Sequence, residues 1–263
     1  MSRIIYGRHP VLAALGQPDT PLEEVIIAQE VKANWVKEVR DLARSRGIRL
    51  RLLERAALDR LAGSTHHQGV VARLGAYRYY QLPELLQHLA SLSEPPLLIA
   101  VDGITDPMNL GNLCRSTLAA GGHGLIIPKD RTVGVTPAVS KAAAGALEYL
   151  KIYRVTNLAE SLLRLKEAGL WVIGTDAQAP QSLYDTDLTV PLVVVIGRED
   201  KGMRPRVRQQ CDLVVAIPLA FPEINSLNAA AAGAVILFEI RRQRLQKQGQ
   251  ARRESRPTSG SAY

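Results

Sequence analysis

Apolar and polar positions along the chain follow two rhythms, one of period two and one of period 3.6, and the switches between them divide it into elements. Near the N-terminus, Val25-Ile26-Ile27-Ala28 is an apolar run of strand length. Trp35, Val36, Val39, Leu42 and Ala43 then recur at helical spacing and stop at Gly47. Residues 49–53 alternate charged and apolar side chains as a half-buried strand does, residues 56–61 repeat as a helix, and Gly69-Val70-Val71-Ala72-Arg73-Leu74 reads as a closing strand. Residues 1–76 are thus expected to form a small α/β domain. From 77 to 96 the chain turns aromatic, then weakly helical, and breaks at Pro95-Pro96, the pattern of a linker packed on its neighbours.

The rhythm changes after that break. Leu97-Leu98-Ile99-Ala100-Val101 is apolar at every position, and similar runs follow at 124–127, 171–173, 192–196 and 213–217, with helical patterns between most of them. Continuous apolar strands separated by helices predict a mostly parallel sheet covered on both faces, spanning 97–245. Residues 246–263, rich in Gln, Arg, Ser and Gly, read as a basic disordered tail.

Composition adjusts this picture in three ways. At 263 residues and 46% hydrophobic, the chain can bury two cores. Its net charge of +8 is uneven: 12 Lys/Arg against 8 Asp/Glu in residues 1–76, 14 against 16 in 77–240, and 7 against 1 in 241–263. If a polyanion is bound, the ends are expected to supply most of the phosphate attraction and the middle the chemistry; a purely solubilising basic end, as at Arg241-Arg242-Gln243-Arg244, stays open. Cys114 and Cys211 lack the number for a disulfide framework and the spacing for metal ligation, so no metal site is assigned. The longest apolar stretch, 229–238, is too short for a membrane span, and residues 1–10 lack a secretory signal's apolar run, so a cytoplasmic protein is expected.

In an open parallel sheet, ligands bind beyond the carboxyl ends of the strands, which directs attention to four loops. The first, Asp102 to Asn109, leads into a helix with Leu110, Leu113, Cys114, Thr117 and Leu118 on one face. Arg115 points away from that face, either as a solvated surface residue or, with Asn109 near the helix N-terminus, as part of a site for a hydroxyl-bearing or anionic substrate. The second is Gly174-Thr175, where a glycine would let a ligand approach the backbone. The third, Gly197-Arg198-Glu199-Asp200-Lys201-Gly202-Met203, is either a charged turn or a cradle for a small molecule; no Gly-x-Gly-x-x-Gly motif occurs, which disfavours a nicotinamide-dependent enzyme. The fourth runs from Pro218 through Ser226-Leu227-Asn228 into an alanine-rich segment, with Ser226 the expected N-cap.

Asn109-x-Gly111-x-x-x-Arg115, Gly197-x-Glu199-x-x-Gly202, and Ile217-Pro218-Leu219 with Ser226-Leu227-Asn228 together resemble the three ordered motifs of the SpoU/TrmH family of RNA ribose methyltransferases. Ile5-Tyr6-Gly7-Arg8-His9-Pro10, His67-Gln68-Gly69-Val70-Val71-Ala72 and Val101 to Pro107 are similar to its RlmB-like branch, which carries an added substrate-binding module. The resemblance implies a SPOUT-type α/β domain with a C-terminal trefoil knot, working as a homodimer. It implies transfer of a methyl group from S-adenosylmethionine to a ribose 2′-hydroxyl, with a guanosine of 23S ribosomal RNA as the expected target. Carried over by motif, Gly197, Ile217 and Leu227 would contact the cofactor, with Gly174 and Leu219 lining its pocket; Asn109, Arg115, Glu199, Ser226 and Asn228 would form the catalytic side. The sequence departs from the family pattern twice. Residues 219–225 run about one residue long, with an unusual Phe221-Pro222-Glu223, and Arg198 stands where a small residue is common.

In-line attack of a 2′-oxygen on a sulfonium methyl needs no metal; it needs orientation and relief of charge on a poorly acidic hydroxyl. Since an arginine holds its proton far above neutral pH, Arg115 is expected to bind phosphate and stabilise alkoxide character rather than act as base. Other RNA targets, transfer RNA among them, and a non-catalytic RNA-binding or ribosome-assembly protein are the competing readings.

Overall fold

The computed structural model describes residues 2–221, 223 and 226–254. An N-terminal domain comprises β1 (Arg3–Tyr6), α1 (Arg8–Gly16), β2 (Leu22–Ala28), α2 (Trp35–Ser45), β3 (Arg49–Leu53), α3 (Arg55–Ala62) and β4 (Val70–Leu74). Its sheet runs β1-β4-β2-β3, with β4 antiparallel to both neighbours and β3 parallel to β2. Alternate residues of β2 serve opposite faces: Val25 and Ile27 pack with Val11, Leu15, Val36 and Val39 of α1 and α2, while Ile26 and Ala28 pack on Leu58 of α3.

The rest of the chain contributes α4 (Leu82–Ala90), β5 (Leu97–Val101), α5 (Pro107–Ala119), β6 (Gly124–Pro128), α6 (Pro137–Ala143), β7 (Ile152–Val155), α7 (Leu158–Glu167) and β8 (Trp171–Thr175). After these come β9 (Gln181–Ser182), β10 (Leu192–Ile196), α8 (Pro205–Arg208), β11 (Leu213–Ala216) and α9 (Ala229–Glu254). The seven strands lie in the order β7-β6-β5-β10-β8-β11-β9, and each neighbouring pair is parallel. The period-two rule explains the solid apolar runs. Leu97, Ile99 and Val101 face α5, α6 and α9 in one core, whereas Leu98 and Ala100 face α4 and α7 in the other; β10 splits its residues the same way.

Three features differ from the sequence reading. Residues 77–96 are not only a linker: α4 places Leu85 and Leu89 in the second core, and Tyr80 hydrogen-bonds along β7, its N–H donating to the Ile152 carbonyl (3.0 Å) and its carbonyl accepting from the Arg154 N–H (2.8 Å). The edge strand β7 escaped notice because Arg154 interrupts its short apolar pattern. The region taken as a disordered tail is helical through Glu254, so residues 246–254 extend α9; residues 255–263 of that expected tail lie outside the described residues. Gln, Arg, Lys and Glu are good helix formers once a docked segment supplies the nucleus. Of the arginines at 241–244, Arg244 is taken up by the fold, while Arg241 and Arg242 stay exposed. Arg244 donates to the carbonyls of Pro95 (2.6 Å), Pro96 (3.0 Å) and Val190 (2.8 Å), Arg241 to that of Ala120 (3.4 Å), and Arg242 pairs with Glu239 (2.6 Å).

A buried ion pair joins the two domains. Arg3 donates to both carboxylate oxygens of Glu148 (3.0 and 3.1 Å), and Thr20 adds a third bond at 3.1 Å; the Arg3 and Glu148 side chains are only 12% and 5% exposed. Removing one partner strands the other charge. Glu148→Ala is therefore expected to cost about 3 kcal/mol, seen in a thermal melt as a Tm lowered by roughly 6–12 °C. An unchanged Tm would mean that the pair does not hold the domains together.

Both thiols are free. Burial pushes Cys114 up to about 12 and Cys211 up to about 11, so both remain protonated and unreactive near neutral pH. No group of three or more His, Cys, Asp or Glu side chains among the described residues could hold a metal ion, and no helix there is long and apolar enough to cross a membrane.

Candidate functional site

The carboxyl ends of β5, β8, β10 and β11 converge on two neighbouring cavities. After β5 the chain turns through Gly103 (φ +92) and enters α5, capped by Asp106, whose carboxylate accepts from the N–H groups of Met108 (3.1 Å) and Asn109 (3.3 Å). Asp102, fully buried at the end of β5, accepts from the backbone N–H and the guanidinium of Arg204 (2.7 and 2.6 Å), locking this loop to the segment after β10.

That segment is a tight turn. Arg198 and Gly202 exchange two backbone hydrogen bonds (3.0 and 2.9 Å), with Gly202 at φ +61. A Cβ on Gly197 would stand 2.4 Å from the Gly202 carbonyl carbon and 2.5 Å from the Met203 nitrogen, so only glycine permits the closure. The turn holds Glu199 against the start of α9. One oxygen, Oε1, accepts from Asn109 Nδ2 (2.7 Å), Asn228 Nδ2 (2.7 Å) and the Ala229 N–H (3.1 Å), while Asn228 Nδ2 also donates to Asn109 Oδ1 (2.8 Å). A carboxylate at a helix N-terminus meets unpaired N–H groups and the positive end of the dipole. Three residues, from the first turn of α5, the turn after β10 and the segment before α9, thus form one hydrogen-bonded unit.

The larger cavity, about 420 Å³, is floored by Ile196, Val215, Ile217, Leu219, Leu227 and Ile236 and rimmed by Thr175, Asp176 and Gln178, with Gly197 to Gly202 as one wall. The Gln178 N–H (3.0 Å), together with Arg208, holds Asp176 below the usual carboxylate range. The smaller cavity, about 250 Å³, is lined by Gly103 to Asp106, Asn109, Arg198 to Asp200 and Ala229.

Of the expected cofactor residues, Gly197, Ile217, Leu219 and Leu227 line the larger cavity and Gly174 does not. A Cβ at Gly174 would lie 2.7 Å from both Cys211 Sγ and Met203 Cε; the residue is a packing glycine, and its neighbour Thr175 reaches the cavity. Of the expected catalytic residues, Asn109, Glu199 and Asn228 meet, and Ser226 lies on the wall of the larger cavity. Arg115 is exposed on α5 and lines neither cavity. Ser226 is not the cap of α9: the helix starts with the alanine run at Ala229, so Asn228 directly precedes it, and Asn228 Oδ1 accepts from the N–H groups of Ala230 (3.0 Å) and Ala231 (3.2 Å). Within the 219–225 loop, expected to be about one residue longer than usual, positions 222, 224 and 225 lie outside the described residues. The sequence reading placed Asp102 and Thr175 in its candidate loops without giving them a role, and did not single out Asp176 or Arg204; the pairing of Asp102 with Arg204 has no local signal.

Comparison with known proteins places these features. A family model described as the SpoU rRNA Methylase family matches residues 96–238, and one described as RNA 2′-O ribose methyltransferase substrate binding matches residues 4–80. The 23S rRNA (guanosine-2′-O-)-methyltransferase RlmB of Nitrosomonas europaea is 40% identical over 248 residues, covering 94% of this chain and 94% of that protein. RlmB of Escherichia coli K12 is 39% identical over 244 residues, covering 93% of this chain and 100% of that protein. Among solved structures, the SpoU methyltransferase AviRb of Streptomyces viridochromogenes in complex with its cofactor AdoMet superposes with a TM-score of 0.78 at 27% identity, over 93% of this chain and 91% of that one. With one family model matched across more than half of the chain and relatives of about 40% identity along nearly all of it, this protein belongs to the SpoU rRNA methylase family.

Proposed function

We propose that the protein transfers a methyl group from S-adenosylmethionine to the 2′-oxygen of a guanosine in 23S ribosomal RNA, and so works in the cytoplasm. The observation that carries this reading is the hydrogen-bonded unit of Asn109, Glu199 and Asn228 beside two cavities: Glu199 lines both the larger, apolar-floored one and the smaller polar one, and Asn109 lines the smaller. The larger cavity fits the cofactor. Its volume lies within the roughly 300–1,000 Å³ of small-molecule sites, Asp176, Glu199 and Asp200 outnumber Arg198 and Lys201 on its walls as a cation requires, and the tight turn that Gly197 permits forms one of those walls. Gly197, Ile217, Leu219 and Leu227 would hold it.

When bound, S-adenosylmethionine supplies an electrophilic methyl on a sulfonium whose charge vanishes on transfer. The chain's task is to aim a ribose oxygen at that methyl and to exclude other geometries. Asn109 and Asn228 have their amides oriented by Glu199 and by each other, so the polar wall is set before RNA arrives. Ser226 adds a hydroxyl on the cofactor side.

Arg115 stands apart from this unit within one chain, and the reading therefore includes a homodimer. Ala231, Val235, Phe238 and Leu245 are exposed at spacings that share one face of α9, and Met108 at the start of α5 is also exposed. A second copy seated there would cover them and bring its Arg115 towards the site. The C-terminal trefoil knot is part of the same reading. β10 enters the sheet between β5 and β8, and α9 then crosses Glu199 to pack Gly233 on Leu113, a route consistent with threading.

Arg115→Lys keeps the charge and loses the planar fork, so kcat is expected to fall by about tenfold or more with cofactor affinity retained; turnover near that of the wild type would remove Arg115 from the mechanism. The overall reading is tested by incubating the purified protein with labelled S-adenosylmethionine and separate pools of ribosomal and transfer RNA. Label is expected in large-subunit ribosomal RNA. Label confined to transfer RNA would reassign the substrate, and label in neither pool would favour a non-catalytic RNA binder.

A further inference from the structure

The two cavities share a wall made of Arg198, Glu199 and Asp200, and Arg198 is the one cation on the smaller cavity among the described residues. Its side chain leans to the smaller side. Cγ and Cδ of Arg198 each lie 3.0 Å from where a Cβ would stand on Gly103, so the stem rests on the loop that opens α5. The backbone beneath it is fixed by the paired hydrogen bonds between Arg198 and Gly202. The guanidinium already holds a planar anion: Nε donates to Asp200 Oδ1 at 2.9 Å and Nη2 to Oδ2 at 2.8 Å.

An arginine fork accepts a carboxylate and a phosphate with the same geometry. The Arg198–Asp200 pair is open to water, with side chains 43% and 57% exposed, and exposed ion pairs are weakly held. Incoming phosphate can therefore take the place of Asp200. Other basic groups are less well placed for this. Arg204 is committed to Asp102, and Arg115 and the arginines at 241–244 line neither cavity.

We propose that Arg198 is a positioning residue for the RNA, its guanidinium binding a backbone phosphate beside the target ribose at the smaller cavity, with Asp200 occupying the fork until RNA displaces it. The masking carboxylate lowers affinity for stray anions and leaves the fork for a ligand that also fills the cavity. This rests on the reading that the smaller cavity receives the RNA ribose.

The test uses the full chain with a 23S ribosomal RNA fragment, and compares the wild type with Arg198→Ala, Arg198→Lys and Asp200→Asn. Arg198→Ala should raise KM for RNA about tenfold or more, with a smaller fall in kcat and little change in S-adenosylmethionine affinity by calorimetry. The slope of log affinity against log salt should become shallower by about 0.7–0.9, the loss of one phosphate contact. Arg198→Lys should fall between, and Asp200→Asn should bind RNA severalfold more tightly. Wild-type KM and salt slope in Arg198→Ala would overturn the proposal. So would equal losses of RNA and cofactor affinity, which would assign the guanidinium to the cofactor's carboxylate, and weaker RNA binding by Asp200→Asn would refute the masking role. Arg198-dependent RNA binding without any methyl transfer by the wild type would instead defeat the functional reading and leave Arg198 as a phosphate contact.

Discussion

Replacing Glu199 by alanine should lower kcat for methyl transfer by about two to three orders of magnitude while the protein stays folded. Glu199 Oε1 is the common acceptor for Asn109, Asn228 and the first N–H of α9, so its loss releases three donors at once. Each donor left unsatisfied would cost about 1–3 kcal/mol if water were excluded. The site opens to solvent, however, and water replaces much of that bonding. The stability loss is thus smaller than the catalytic one, which comes from two amides free to rotate where a fixed wall was needed. Glu199→Gln keeps one acceptor oxygen, which can face all three donors while its NH₂ takes the place of the unbonded Oε2, so it should retain much more of the activity than Glu199→Ala. Steady-state kinetics beside a thermal melt would check this: a kcat within threefold of the wild type for Glu199→Ala, in a folded protein, would deny Glu199 its organising role.

The second large effect is expected at Gly197. A methyl group there collides with backbone atoms of Gly202 and Met203, at 2.4 and 2.5 Å, rather than with a side chain that could swing aside. Gly197→Ala must therefore open the turn closed by the Arg198 and Gly202 hydrogen bonds, displacing one wall of the larger cavity. Loss of S-adenosylmethionine affinity by about 100-fold or more follows, equivalent to about 2.7 kcal/mol. Calorimetric titration measures it directly. Gly174→Ala serves as the contrast: its clash is with Cys211 and Met203 beneath the strand, so it should destabilise the fold more than it weakens the cofactor. Equal cofactor affinity for Gly197→Ala and the wild type would move the cofactor elsewhere.

The central sheet was legible in the sequence because its inner strands are buried on both faces, and a run such as Leu192 to Ile196 has no other economical explanation. The edge strand β7 was not, since it carries Arg154, and the weakly helical stretch that forms α4 gave no sign of its place in the core because only Leu85 and Leu89 of it are buried. Site residues were found by their position after strands and by motif resemblance. What neither could supply was the partnership of side chains: that Asn228 rather than Ser226 caps α9, that Asp102 holds Arg204, and that Arg198 is pinned by Asp200. The pairing of Asp102 with Arg204 joins segments 102 residues apart and leaves no local pattern, whereas the other two lie within three residues and depend on turn geometry that residue types alone do not fix. The charge distribution misled for a related reason. Within the basic C-terminal run, Arg244 is bound to three carbonyls, a commitment that charge counting does not register.

The central claim is that the Asn109, Glu199 and Asn228 unit aims a guanosine 2′-oxygen of 23S ribosomal RNA at the methyl donor. The most direct measurement is nucleoside mass spectrometry of 23S ribosomal RNA treated with S-adenosylmethionine and either the wild-type protein or Glu199→Ala. One new 2′-O-methylguanosine, formed by the wild type and nearly absent with the variant, is the expected result; a methyl group on a base, or equal 2′-O-methylation by both proteins, would contradict the account.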